Sequence, residues 1–377
     1  MSTIEIQSAA ARTQTAFAPC EIAIVAPTFN ERENVAELIA RLDAALSQRA
    51  WEIVFVDDDS TDGTSQALLE LARNDPRVRV VRRIGRRGLS TAVVEGVLST
   101  SAPIVAVMDA DLQHDERVLP QMIARLQQGD CDIVVGSRYT EGGGVGDWSE
   151  QRQAFSRFAT RLAKLVVKAD LTDPMSGFFV VRREAFEDAV RRLSGQGFKI
   201  LLDVLASSPT PLRVAETPYT FRQRLHGESK LDSAVLWDYA ALLLDKTIGR
   251  FVPTRFVMFA MVGGIGVVVH FIVLSLLFQA MGQGFAVSQT IAAVVAMTFN
   301  FFVNNALTYR DRRLRGVRAL KGLLSFYLVC SVGLFANVGI ANFLFEEAYA
   351  WWLSGIAGIL VGAVWNYAAS AVFTWKR

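Results

Sequence analysis

The 377-residue sequence is poor in cysteine and histidine, with three of each. Cys20, Cys131 and Cys330 are far apart and odd in number, which argues against a disulfide framework or a zinc site. The histidines are equally scattered. Neither G-x-G-x-x-G nor G-x-x-x-x-G-K-[ST] occurs, so a Rossmann dinucleotide fingerprint and a P-loop are both excluded. Charge of one sign is also missing: the net is +2, and nothing suggests a nucleic-acid surface. Residues 1–20 lack a long apolar core and read as a loose tail, not a cleaved signal peptide.

What is present is apolar. Half of the chain is hydrophobic, 51%, and the mean hydropathy is positive, high for a wholly soluble protein. The near-neutral total hides an asymmetry. From residue 251 onward there are nine Lys/Arg against three Asp/Glu, while residues 1–250 carry 30 basic and 34 acidic side chains. The second half holds four apolar runs, about 256–280, 285–309, 322–345 and 351–375. Each exceeds the ~20 residues needed to cross a bilayer as a helix. Between the second and third lies "RDRRLRGVRALK" (310–321), and Arg250, Arg255, Lys376 and Arg377 flank the outer ends. The other two loops, "MGQG" and "EEAYA", have no basic residue, so the positive-inside rule places both ends of this module in the cytoplasm.

These runs read as a duplicated hairpin. "FNFFVNNALTYR" (299–310) matches "WNYAASAVFTWK" (365–376), with an aromatic-Asn pair followed by Thr-aromatic-basic. Asn300, Asn304 and Asn366 are polar groups in apolar helices, expected to make interhelical hydrogen bonds, with lipid-headgroup contact as the other reading. His270 sits alone in mid-span.

The first half alternates strand and helix signals. Short β-rich runs lie at 21–28, 51–57, 78–83, 104–110 and 131–139, with helix-period segments between them. This predicts an α/β fold with a mainly parallel sheet covered on both faces. Ligands in such sheets bind outside the carboxyl ends of the strands. Those ends carry Pro27 to Glu31, Asp57 to Asp59, Asp109 to Gln113 and Arg138. In "MDADLQHDE" (108–116), two carboxylates and an amide at alternate positions can converge on Mg2+ or Mn2+ while leaving room for substrate phosphates; a plain polar loop has the same composition.

"PTFNERENV", "VDDDSTDGT", "RRGLSTAVVEG", "MDADLQHDE", "GSRYTEGG", "DPMSGFF", "GFKILLDVL" and "HGESKL" follow in order. Over residues 21–232 they resemble the dolichol-phosphate mannose synthase group of family 2 glycosyltransferases. The second half is similar to the four-helix membrane module found with such enzymes. The resemblance implies a Rossmann-like GT-A domain at 21–232, interfacial helices at 233–254 and an all-α four-span domain at 255–377. It implies a metal loop of Asp109, Asp111 and Gln113 that takes Mg2+ or Mn2+, with Ala110 against the donor. Pro27, Phe29, Glu31, Val56 and Asp58 match positions around the nucleotide, with Phe29 where the family usually has Tyr. Arg138, Arg224 and Lys230 match basic positions that gather phosphates. Lys199 is either a weaker member of that set or a solvated helix-start lysine.

The implied reaction is inverting transfer of mannose from GDP-mannose to a polyprenyl phosphate on the cytoplasmic face of the bilayer. A UDP-hexose donor and a lipid-linked sugar translocase are the alternatives. An acceptor phosphate is already ionised near neutral pH, so no catalytic histidine is needed. The basic amphipathic segments 152–169 and 233–252 are read as membrane-interfacial, against a core-facing alternative.

Overall fold

The computed structural model describes residues 20–377, except 147–149, 165, 168, 196, 224–232, 250–251, 348–350 and 376–377. Two compact units divide at Leu231/Asp232.

The first unit is built on one seven-stranded sheet. Its strands are β1 (Ile22–Thr28), β2 (Trp51–Asp57), β3 (Val78–Arg82), β4 (Ile104–Val107), β5 (Ile133–Ser137), β6 (Phe179–Arg182) and β7 (Val214–Pro218). The spatial order is β3-β2-β1-β4-β6-β5-β7. Strands β3, β2, β1 and β4 run parallel, with Ile24 paired to Ile53 on one side and to Ala106 on the other. Strand β6 runs against both β4 and β5, and β5 runs parallel to β7. The sheet is therefore mainly parallel with one reversed strand. Neither β6 nor β7 was legible in the sequence: one has four residues and the other, VAETP, has no apolar run.

Helices cover both faces, as continuous apolar strands require. They are α1 (Val35–Ala45), α2 (Thr64–Asn74), α3 (Leu89–Ser99), α4 (Leu119–Gln127), α5 (Glu150–Ala163), α6 (Arg183–Val190) and α7 (Ile200–Ser207). In α1, Val35, Leu38 and Leu42 recur at helical spacing and are the buried residues. Helix α3 lies close against the sheet. A Cβ at Gly96 would overlap Val25 and Val56, so only glycine lets the backbone approach this far.

Strand polarity decides what meets what. The carboxyl ends of β1, β2, β4, β5 and β7 all lie on one edge. Because β6 is reversed, the loop that enters it, 172–178, lies on that edge too. The segment "DPMSGFF" is thus brought to the edge that carries the 109–113 loop by a strand that the sequence reading missed.

The second unit holds α8 (Ser233–Ile248), α9 (Thr254–Ser275), α10 (Phe285–Val303), α11 (Val317–Glu346) and α12 (Trp351–Ala369). Helices α9, α10 and α12 each end in a five-residue π-helical turn. Among the described residues, Thr254–Ala280 and Thr290–Thr308 are long and apolar enough to cross a membrane. Large apolar side chains such as Phe271, Ile272, Phe335 and Phe373 stand exposed, as a lipid-facing surface requires.

The two hairpins, α9–α10 and α11–α12, repeat each other residue by residue. Gly266 faces the Asn300 amide, and Gly333 faces the Asn366 amide. The ring contact Phe259–Tyr367 has its counterpart in Phe301–Phe326, both with centroids 5.9 Å apart. Equivalent residues also meet each other: Tyr309 stacks on Trp375 at 4.1 Å, and Phe259 meets Phe326 at 6.4 Å. Self-pairing of equivalent positions is what a pseudo-twofold axis between the hairpins produces. The polar glue is not where the sequence suggested. Asn304 Nδ2 donates to Asn300 O on its own helix, whereas Trp375 Nε1 donates to Asn305 Oδ1 and Trp365 Nε1 to Val329 O.

Candidate active site

Strand β4 stops pairing at Met108, whose N–H donates to Val25 O at 3.2 Å. The chain then turns through Leu112, which sits at φ +63°, a left-handed conformation that costs a bulky residue energy and marks functional loops. Asp109 keeps a partly exposed carboxylate, while Asp111 is buried and its Oδ1 accepts the Gln113 N–H at 3.2 Å. Gln113 is oriented by a partner that only accepts: its Nε2 donates to Arg222 O at 3.1 Å, which makes Oε1 the acceptor end. Arg222 N–H in turn donates to Gln113 O at 2.9 Å, and its guanidinium is paired with Asp115 and Glu116. The segment after β7 is therefore clamped to the 109–116 loop from both sides.

Two carboxylates and an amide oxygen suit a hard cation. Among the described residues no group of three or more His, Cys, Asp or Glu could hold a metal by itself. An incomplete protein set fits an ion such as Mg2+ that keeps waters and takes substrate phosphate oxygens.

Sequence reasoning missed His114. It is 2% exposed, stacks on Phe178 with centroids 5.1 Å apart, and meets Tyr219 and Phe221 edge-on. Burial pushes its pKa down to about 4, so the ring is neutral at physiological pH. Its place inside an acidic loop, next to Asp115 and Glu116, hid it; only the segments flanking β6 and β7 bring the aromatic rings around it.

The nucleotide side of the edge is built from β1 and β2. Pro27 and Phe29 are half-buried, and the Arg87 guanidinium lies 4.2 Å above the Phe29 ring. Glu31 is buried, and its Oε2 accepts from Asn34 Nδ2 at 2.7 Å. Asp58 accepts from Arg83 Nη1 and from the Gly88 N–H, each at 2.7 Å, and burial raises its pKa above the ordinary carboxylate value. Val56 and Ala110 are buried, at 0% and 2% exposure.

The phosphate-gathering set divides. Arg138 is held in a bidentate pair by the fully buried Asp173, with Nε to Oδ2 at 2.7 Å and Nη2 to Oδ1 at 2.8 Å. Burial opposes its charge, but Asp173 holds its pKa above the usual arginine value. Any phosphate must share this arginine with Asp173, which the sequence reading did not anticipate. Lys199 is half-buried, and its Nζ donates to Met175 O at 3.1 Å. Arg224 and Lys230 lie outside the described residues.

Comparison with known proteins agrees with this edge and with the membrane unit. Residues 23–190 match the family model for glycosyl transferase family 2, and residues 258–375 match that for the GtrA/DPMS transmembrane domain. A dolichol-phosphate mannosyltransferase of Pyrococcus furiosus is 34% identical over 94% of this chain and 99% of its own length. A dolichol-phosphate mannosyltransferase of Saccharomyces cerevisiae is 34% identical over 63% of this chain and 91% of its own. Among solved structures, glucosyl-3-phosphoglycerate synthase from Mycobacterium tuberculosis is 20% identical over 60% of this chain and 79% of that one, with a TM-score of 0.44. Matched almost end to end by the Pyrococcus furiosus relative, the chain belongs to the dolichol-phosphate mannosyltransferase family of family 2 glycosyltransferases that carry a GtrA/DPMS transmembrane domain.

Proposed function

We propose that the protein transfers mannose from GDP-mannose to a polyprenyl (dolichyl) phosphate, with inversion, giving a polyprenyl phosphate β-mannose. The observation that carries the reading is the full-length match to a dolichol-phosphate mannosyltransferase, 94% of this chain against 99% of that protein. The strand-end carboxylates support it. Asp109, Asp111 and Gln113 would hold Mg2+ or Mn2+. When bound, that ion neutralises the charge that develops on the departing diphosphate. Pro27, Phe29, Glu31 and Asp58 line the nucleotide side, and Arg138, Arg224 and Lys230 supply fixed positive charge to the phosphates. The acceptor phosphate is its own nucleophile, so the protein's remaining task is to align it with the anomeric carbon. His114 is no general base for that step, because it is buried and its Nδ1 lone pair already accepts the Asp109 N–H.

The charge pattern supports a multi-pass membrane protein with four spans, its glycosyltransferase domain and both termini in the cytoplasm. The test compares labelled GDP-mannose and UDP-glucose with polyprenyl phosphate in washed membranes. Chelator-sensitive transfer from GDP-mannose is expected. Transfer from UDP-glucose alone would replace the donor assignment, and transfer only in sealed vesicles would favour a translocase.

A further inference from the structure

The last ladder hydrogen bond of β4 is Met108 N–H to Val25 O. The next backbone donor is the N–H of Asp109, and it finds no strand. It donates instead to His114 Nδ1 at 3.1 Å. A nitrogen that accepts carries no proton, so the ring's other nitrogen is the N–H of the neutral tautomer. That nitrogen, Nε2, lies 3.9 Å from Asp109 Oδ2. One imidazole therefore holds the Asp109 backbone with one atom and faces its carboxylate with the other.

The ring itself is fixed. Phe178 lies parallel beneath it, 12° from coplanar, while Tyr219 and Phe221 meet it at 71° and 69°. Phe178 precedes β6 and the other two follow β7, so two separate segments set the ring's orientation. Room for this arrangement comes from Gly177, where a Cβ would stand 3.3 Å from Asp109 Oδ2 and 3.5 Å from His114 Cε1.

We propose that His114 is a positioning residue that sets the backbone and carboxylate of Asp109 for a divalent cation carrying a nucleoside diphosphate. The proposal rests on reading Asp109, Asp111 and Gln113 as the cation loop. Groups that orient a metal ligand from behind change metal affinity by about 10- to 100-fold when removed.

The experiment uses the full-length protein in detergent, with Mn2+ binding in the presence of GDP followed by electron paramagnetic resonance. Three variants are compared with the parent. His114→Phe keeps the aromatic stack and loses both nitrogens. His114→Asn places an acceptor oxygen near the position of Nδ1. His114→Gln, one methylene longer, places its amide near Nε2. His114→Phe is expected to keep its unfolding midpoint, to bind Mn2+ about 10-fold more weakly, and to regain turnover at high Mn2+, which a merely structural lesion would not do. His114→Asn should recover part of the lost affinity. Asp111→Asn serves as the control for the loop itself. If it loses Mn2+ while His114→Phe binds like the parent, the positioning role is wrong and the loop stands. If Asp111→Asn also binds like the parent, the loop reading fails and takes the proposal with it. Should His114→Phe not fold, the amide pair decides: Asn must bind Mn2+ more tightly than Gln, and equal affinities overturn the proposal.

Discussion

Three consecutive carboxylates, Asp57, Asp58 and Asp59, have three different tasks, and the sequence alone does not separate them. Asp57 is fully buried and accepts from the Ser60 and Ser65 hydroxyls, closing the turn into α2. Asp58 is paired with Arg83, and Asp59, at φ +58°, is half-buried against Arg82. The same holds for Arg138, read as a phosphate ligand from its motif and found locked to Asp173. Removing one partner of such a pair strands the other: Arg138→Ala should cost about 3–5 kcal/mol in stability, read as a lower unfolding midpoint in detergent. An unchanged midpoint would mean that Asp173 is satisfied without it. The proposed metal loop should behave oppositely. On that proposal Asp111→Asn removes an ion ligand and no core packing, so most turnover should disappear while the unfolding midpoint stays within a few degrees. Full activity with an unchanged response to chelator would remove Asp111 from the site.

At the level of elements, long periodic segments were legible and short ones were not. The strands before the Asp-rich ends and helices α1 to α3 follow from apolar runs and helical spacing. Strand β6 has four residues, and its reversed direction comes from the chain's route, which no local pattern encodes. Yet that direction puts Asp173, Gly177 and Phe178 at the site. The duplicated hairpin was legible because the repeat survives in the residues; its axis was not, because rings 66 positions apart, Tyr309 and Trp375, must first be seen to stack. Close approach within each hairpin depends on Gly266 and Gly333. Gly266→Leu and Gly333→Leu should each overpack against an asparagine and destabilise the unit by about 1–3 kcal/mol, to similar extents. Thermal unfolding of both variants in one detergent checks this, and a large effect at only one glycine would break the equivalence of the hairpins.

Across the whole molecule, the question is how labour divides between the two units. Every described residue proposed to touch donor or metal belongs to Met1–Leu231, and Arg224 and Lys230 fall within the same span. The second unit offers apolar helices, an aromatic cluster of Phe259, Phe301, Phe326, Tyr309 and Trp375, and a basic loop at 310–321. The proposed metal loop draws no carboxylate from it. Its physical contribution is confinement: spanning helices hold the enzyme in the bilayer where the polyprenyl chain already is, which raises the effective concentration of acceptor without any new contact. A protein shortened to residues 1–253 should therefore bind Mn2+ and GDP-mannose with near-parental affinity and transfer to a short, dispersible polyprenyl phosphate in detergent. It should hold membranes only reversibly, because an interfacial segment such as 233–252 anchors far less firmly than spanning helices. Transfer to a long-chain acceptor in vesicles should fall steeply, by more than the change seen with the short acceptor. The measurement is the ratio of the two transfer rates for full-length and shortened proteins, after circular dichroism has established that the shortened one folds. If it binds donor but transfers to neither acceptor, the membrane helices help to build the acceptor site. The paired positions Asn300 and Asn366, each facing a glycine of the neighbouring helix, then become the first to substitute.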